Sequence, residues 1–318
     1  MLNTAVLDDY QNVAFESANW GDVAGKASVI MFNDHIHDSD SLVERLKDFE
    51  IICAMRERTP FPKEILHRLP KLQLLITTGM RNASIDVKAA NDQGVTVCGT
   101  DGLPYPTAEL AWGLILDLAR NISRENEAVK NGEWQTTLSV GLKGKTLGLI
   151  GLGNLGGQVA NYGNAFGMNV IAWSQNLTKE KAKEKNAKYA SLETLMAESD
   201  FISIHTVLSP RTKGLIDSSK LKLMKKTGFL INTSRGPIVD ESALVNVLEK
   251  DLIAGAGLDV FGLEPLPPEH PLITLENTII TPHVGYVTKE TYKIFYEQTV
   301  ECITAFIQGT PIRVINPI

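Results

Sequence analysis

Short apolar runs alternate with helical patterns along the chain. In the first hundred residues, Leu2 to Leu7, Ile51 to Met55, Leu72 to Thr77 and Val95 to Cys98 are apolar runs of strand length. Between them, Ser41 to Asp48, Pro62 to Leu69 and Asp86 to Asn91 carry helical spacing, the first opened by a Ser N-cap. Such alternation predicts a parallel sheet with helices on both faces. Gly99 to Pro106 then interrupts the series with two Gly and two Pro, the chemistry of a linker. Thr107 is placed to N-cap a long helix with Glu109 in its first turn. Leu110, Ala111, Leu114, Ile115, Leu118 and Ala119 recur at a period near 3.6, and the pattern turns polar after Arg120 and runs to about Asn131.

A second alternating series begins at Thr146. Its predicted strands are Thr146–Ile150, Asn169–Trp173, Phe201–Ile204, Phe229–Asn232, Ala254–Asp259 and Thr278–Ile280, and an amphipathic helix from about Thr288 to Gln308 follows. The length of 318 residues suits two domains at ~100–200 residues each. With 43% hydrophobic and 21% charged residues, the composition is that of a globular protein and not of a disordered or fibrous chain.

The net charge of −6 and the absence of a basic block argue against nucleic acid and anionic membranes as partners. A small anionic substrate remains compatible, because one cleft can be positive on an acidic protein. Cys53, Cys98 and Cys302 form no C-x-x-C pair, so no metal site is expected, and so sparse a set suits a reducing compartment. Met1 to Tyr10 has no basic n-region, and no apolar run reaches ~18 residues. The expectation is a cytoplasmic protein.

Gly151-Leu152-Gly153-Asn154-Leu155-Gly156 follows one predicted strand directly, and Gln158 to Phe166 continues with helical spacing. Strand, glycine turn and helix together form the context of a dinucleotide cradle, in which the diphosphate rests on the helix N-terminus. A carboxylate for the ribose 2′-hydroxyl belongs near the end of the next strand. This chain has Ser174-Gln175-Asn176 there, which leaves NAD and NADP both open. Lys179 and Lys181 lie a turn further on, in a Lys/Glu-rich stretch to Lys188 that reads as a solvated face.

Three polar groups stand just beyond later strands: Arg235 after Phe229–Asn232, Glu264 after Ala254–Asp259, and His283 after Thr278–Ile280. Ligands of open parallel sheets bind outside the carboxyl ends of the strands, so all three face one crevice. A cation for a carboxylate, an imidazole for proton transfer and an acid to hold that imidazole are what reduction of a 2-oxo acid needs. Arg56 and Arg58 follow another strand. They read either as a loop paired internally with Glu57 or as an attraction for an anionic tail.

With these motifs the chain resembles the D-isomer-specific 2-hydroxyacid dehydrogenase family, including its glyoxylate/hydroxypyruvate reductase and phosphoglycerate dehydrogenase types. The matching stretches are Gly151–Gly156, His205 to Ile216, Leu230 to Asp240, Gly257 to Pro265 and Thr281 to Gly285, with Thr77 to Gly79 and Ile85 to Ala90 matching more loosely. The resemblance implies an α/β fold of two doubly wound parallel-sheet domains. A Rossmann dinucleotide-binding domain, residues 102–285, would be inserted in a discontinuous flavodoxin-like substrate domain, residues 1–101 plus 286–318. It implies catalysis by Arg235, Glu264 and His283. Cofactor contacts would come from Gly151, Gly153, Asn154, Leu155, Gly156, Ser174, His205, Thr233 and Asp259, and substrate contacts from Thr78, Gly79, Arg81 and Arg56. It also implies a homodimer formed largely through the cofactor domains, including the helix from Thr107.

The implied activity is hydride transfer between NAD or NADP and C2 of a small 2-oxo or D-2-hydroxy acid. The alternative is a non-catalytic NAD(H)-sensing regulator of the same fold, which the lack of a long appended tail disfavours. Arg81 and Tyr286 stand where many relatives carry smaller residues, so a short substrate is expected.

Overall fold

A computed structural model describes residues Met1–Ile315. The chain forms two compact units, Met1–Leu103 with the segment from Val287 onward, and Pro104–Tyr286.

The first unit is built on β1 (Leu2–Val6), β2 (Ala27–Met31), β3 (Ile51–Ala54), β4 (Leu74–Thr77) and β5 (Thr96–Gly99), with α1 (Ser39–Leu46), α2 (Lys63–Leu66) and α3 (Val87–Asp92) between them. The five strands pair in parallel in the order β2-β1-β3-β4-β5. Every residue of β3 and β4 is buried, as expected for central strands covered on both faces. Each fully buried Leu or Ile there contributes about 1.5–3 kcal/mol relative to exposure.

Local details differ from the sequence pattern. The sequence shows no element between Leu7 and Ser41, yet β2 forms there; it is an edge strand that leaves Ile30 exposed, so burial imposes no clean alternation on it. Ser41 does not cap α1. Asp38 does, its carboxylate accepting from the Ser41 N–H at 2.7 Å, so the helix starts two residues earlier. Gly99 lies in β5, and the linker is correspondingly shorter.

The second unit opens with α4 (Pro106–Arg120) and α5 (Ile122–Lys130). Thr107 is not the N-cap of α4. Pro106 takes the first helical position after Tyr105, and the Thr107 hydroxyl donates instead to Gly285 O at 3.1 Å. The polar continuation beyond Arg120 is a separate helix, because Asn121 adopts a left-handed conformation.

Then follow β6 (Thr146–Ile150), α6 (Asn154–Ala165), β7 (Asn169–Trp173), α7 (Lys179–Glu184), β8 (Lys188–Tyr189), α8 (Leu192–Glu198), β9 (Phe201–Ile204), α9 (Ser218–Leu221), β10 (Phe229–Asn232), α10 (Glu241–Glu249), β11 (Gly255–Leu258) and β12 (Thr278–Ile280). All seven strands are parallel, in the order β12-β11-β10-β9-β6-β7-β8. The helix after the glycine turn begins at Asn154 and not at Gln158, which puts Gly156 inside its first turn.

Period-two alternation divides the side chains between two cores. Leu147, Leu149 and Ile231 pack with α4 and α6, while Ile150, Ile202, Ile204 and Leu230 pack with α8 and α10. Gly257 lets α4 lie flush on β11: a Cβ there would come 3.1 Å from Leu114.

After this unit, α11 (Lys289–Ile307) rejoins the first one and buries Tyr292, Phe295, Tyr296, Val300 and Ile303 at helical spacing. Among the described residues no helix is long and apolar enough to cross a membrane.

Candidate active site

The glycine turn sits where β6, β9 and β7 come side by side. Gly151 has φ +99°, and a Cβ on it would meet His205 O at 2.6 Å. A Cβ on Gly156 would lie 2.1 Å from Gly151 O. Both positions therefore demand glycine for close backbone packing. Gly153 differs, since a Cβ there would enter open space. Gly153 is also the N-cap of α6, and no side chain caps the helix. Asn154 and Leu155 thus head a helix whose first amides lack a side-chain acceptor and face room for an anion.

Two buried polar atoms point the same way. Neither His205 Nδ1 nor Thr233 Oγ1 has a hydrogen-bond partner. They stand one residue past the ends of β9 and β10, which pair with each other. Buried polar atoms left unpaired by protein call for a partner, and beside a glycine turn a ligand can supply one. Burial pushes the His205 imidazole down to about 4, so it is neutral at pH 7, and its Nε2 is paired with Ser203 Oγ at 2.9 Å. Gly151 N–H donates to Trp173 O at 2.8 Å, which sets Ser174 beside the glycine turn. The residues present therefore fit a dinucleotide.

Arg235, Glu264 and His283 emerge from loops after β10, β11 and β12, three adjacent strands. Two strand spacings, roughly 10 Å in all, separate the outer pair of strands. His283 Nδ1 lies 2.5 Å from Glu264 Oε2, and Glu264 Oε1 accepts from the Phe261 N–H at 2.9 Å. One carboxylate thus fixes the ring through Nδ1.

His283 has φ 54°, a conformation costing a non-glycine residue about 1–3 kcal/mol. The neighbouring contacts hold it there. Asp259 is buried, and it accepts from Thr281 Oγ1 at 2.6 Å, Val284 N at 2.8 Å and Gly285 N at 2.9 Å. Burial raises the Asp259 carboxyl above the usual range. Asp259, expected as a cofactor contact, holds through its oxygens the loop that carries His283.

Arg235 is set by its own turn. Asn232 Oδ1 accepts from Ser234 N at 3.0 Å and Asn232 Nδ2 donates to Arg235 O at 3.0 Å, while Arg235 Nη1 donates to Ser234 O at 2.7 Å. Gly236 brings this turn against the Glu264 loop: a Cβ on Gly236 would lie 2.1 Å from Phe261 C and O. Tyr286 places its ring edge-on to His283, with centroids 5.8 Å apart.

In the first unit, Thr78 and Gly79 follow β4. Thr78 N–H donates to Ala54 O at 3.1 Å and Gly79 N–H to Thr100 Oγ1 at 2.9 Å. Arg56 lies along this turn, with Nη1 donating to Thr78 O at 2.9 Å and Nε 3.6 Å from Glu57. The lack of a side chain at Gly79 makes room for that guanidinium, since a Cβ there would lie 1.8 Å from Nη1. Arg81 is exposed. Arg58 has a different role: it donates to Asp8 O at 2.7 Å and covers the Tyr10 ring at 4.5 Å.

Lys179 and Lys181, in the stretch expected as a solvated face, are exposed. The side chain that reaches the glycine turn is Lys185, whose Nζ donates to Gly153 O at 2.8 Å. Nothing in its spacing marks it, because the contact depends on how α7 packs beside α6.

A parallel sheet with an uncapped glycine cradle and a cation–acid–imidazole set beyond its strands defines a dinucleotide-dependent oxidoreductase. Residues 112–285 match the family model for the D-isomer specific 2-hydroxyacid dehydrogenase NAD binding domain. A glyoxylate reductase of Aeropyrum pernix is 42% identical over 264 residues, covering 80% of this chain and 79% of its own. A hydroxypyruvate reductase of Blautia hydrogenotrophica is 29% identical over 333 aligned positions, covering 99% of this chain and 100% of its own. The crystal structure of a phosphoglycerate oxidoreductase from Vibrio cholerae is similar with a TM-score of 0.92 at 36% identity, covering 97% of this chain and 100% of that one. The chain belongs to the D-isomer specific 2-hydroxyacid dehydrogenase family, and its cofactor is a nicotinamide dinucleotide.

Proposed function

We propose that this protein reduces a short 2-oxo acid, of the glyoxylate or hydroxypyruvate type, to the D-2-hydroxy acid. The observation that carries the reading is the Glu264–His283 pair at 2.5 Å, on a loop pinned by Asp259. Relatives bearing the names glyoxylate reductase and hydroxypyruvate reductase support the enzyme over the regulator.

The bound dinucleotide supplies the hydride. Arg235 pairs with the substrate carboxylate through its planar fork and polarises the neighbouring ketone. His283 delivers a proton from Nε2 to the oxygen at C2, and Glu264 stabilises the imidazolium that precedes transfer. Hydride and proton together make the new C–H and O–H bonds, so charge and atoms balance. Asp259 is a positioning residue in this scheme. Thr78, Gly79 and Arg56 form the substrate turn, where the guanidinium of Arg56 is the group suited to an acid.

Tyr286 stands edge-on to His283 and, as a large ring there, is read as narrowing the site against a bulky tail. Substrates of about two to four carbons are expected, in line with the small discrimination a pocket exerts per methylene and the larger one from a clash. Turnover with glyoxylate and hydroxypyruvate should exceed that with phenylpyruvate in kcat/KM. The reverse order contradicts the size assignment, and no turnover of any 2-oxo acid with either cofactor returns the protein to the regulator class.

The cofactor preference follows from the end of β7. Ser174-Gln175-Asn176 has no carboxylate to repel a ribose 2′-phosphate and no Arg to clamp one. NADPH and NADH should therefore serve within about one order of magnitude, or ~1.4 kcal/mol. Ser174→Asp should shift the kcat/KM ratio toward NADH by adding both a hydroxyl acceptor and a repulsive charge. A hundredfold NADH preference in the wild type, or an unmoved ratio in the variant, removes Ser174 from the ribose.

We read the protein as a cytoplasmic homodimer. The free thiols of Cys53, Cys98 and Cys302 suit a reducing compartment. Exposed Ile122, Val129, Trp134 and Leu138, on α5 and the segment after it, support self-association through the second unit.

A further inference from the structure

We propose that Lys185 is the residue that recognises the 2′-phosphate of NADP(H), a role that rests on the dinucleotide reading of the Gly151–Gly156 cradle. Four observations converge on it. Lys185 Nζ donates to Gly153 O at 2.8 Å, at the N-cap of α6. Its stem crosses Gly157, where a Cβ would come 3.3 Å from Cδ and 3.4 Å from Nζ, so a small residue at 157 lets the lysine lie down. Among the described residues Gly153 O is the one polar partner of the Lys185 ammonium. Gly153, which Lys185 touches, faces open space on its own side-chain position.

In this proposal the ammonium serves the ribose end of the cofactor. The α6 amides already serve the diphosphate. Lys185 is the C-cap of α7, the helix that follows β7, and in this type of fold the end of that strand is where the ribose would lie. The turn between them, Ser174-Gln175-Asn176, carries no opposing charge. Lys179 and Lys181 are exposed on α7, and neither side chain has a contact to the glycine turn. A flexible ammonium held only by one carbonyl can swing to a doubly charged phosphate at little cost, whereas a ribose hydroxyl gives it much less. Lys185 thus accounts for acceptance of a 2′-phosphate without an arginine clamp.

Binding alone tests this, with NADPH and NADH titrated calorimetrically in the absence of any oxo acid. Lys185→Gln should weaken NADPH by about tenfold and leave NADH within about twofold. Lys185→Arg should restore most of the NADPH affinity, and the wild-type advantage should shrink as salt is raised. Lys185→Met, which keeps the stem over Gly157, replaces the Gln variant if thermal melting shows that variant to be unfolded. Equal weakening of both cofactors would mean that the lysine serves the diphosphate, and this overturns the proposal. Unchanged affinities for both make Lys185 a carbonyl lock only, and also overturn it. If the wild type binds neither cofactor, the dinucleotide reading itself fails and takes the proposal with it. If Lys185→Gln selectively loses NADPH while no 2-oxo acid is turned over, the proposal stands and the enzyme reading falls.

Discussion

His283→Asn is expected to bind the dinucleotide normally and to lose about 10²–10⁴ in kcat, the usual contribution of a positioned general acid. Asn keeps a side-chain amide that can still meet Glu264 Oε2, so the loop should hold its shape. Asn also tolerates the left-handed backbone that this position requires, at φ 54°. What disappears is the proton on the far ring nitrogen. The effect should therefore fall on kcat and kcat/KM together, with the dissociation constant of the cofactor unchanged. Pre-steady-state hydride transfer in the variant should be slow at every pH across roughly pH 5 to 9. Equal turnover by variant and wild type over that range would remove His283 from the chemistry.

Arg235→Lys should raise KM for the oxo acid and lower kcat at the same time. The planar guanidinium holds a carboxylate by two parallel bonds, and a lysine offers a point charge on a mobile stem. Loss of orientation costs rate as well as affinity, because a misplaced reactant is far from its attack geometry. The turn itself should survive, since Asn232 fastens it through backbone groups of Ser234 and Arg235. A combined loss in kcat/KM of about 10²-fold or more corresponds to ~2.7 kcal/mol or more of lost transition-state binding. If KM and kcat both stay within about twofold, a change below ~0.4 kcal/mol, another group clamps the carboxylate.

The candidate site was legible in outline because its parts obey local rules. Gly151, Gly153 and Gly156 announce themselves by spacing between a strand and a helix, and the structure gives each a separate reason: two close backbone approaches and one open mouth. Arg235, Glu264 and His283 each follow an apolar run, and a parallel sheet necessarily brings such positions to one edge. Asp259 shows what this reasoning does not reach. In sequence it is an acid after a strand; in the fold it also accepts from Thr281, Val284 and Gly285, some twenty-five residues along the chain.

Arg56 and Arg58 make the same point within three residues. Read along the chain, they are equivalent cations flanking Glu57. Packing separates them, since β1 brings Asp8 and Tyr10 to Arg58, and β4 brings Thr78 to Arg56. Only Arg56 lies on the turn assigned to substrate.

The sequence by itself determined the alternation of strands and helices, the two α/β units, the glycine cradle and the order of the candidate set Arg235, Glu264 and His283. These depend on periodicity and on residue chemistry at short range, which a linear chain records directly. The caps of α1 and α4, the edge strands β2 and β8, the grip of Asp259 on the His283 loop and the reach of Lys185 to Gly153 were decided by tertiary structure. Each depends on which backbone or side-chain group arrives from a distant segment, and on edge strands too weakly buried to impose a pattern. Such choices are settled by competition for hydrogen bonds and space among elements already packed, and that competition exists only once the chain has folded.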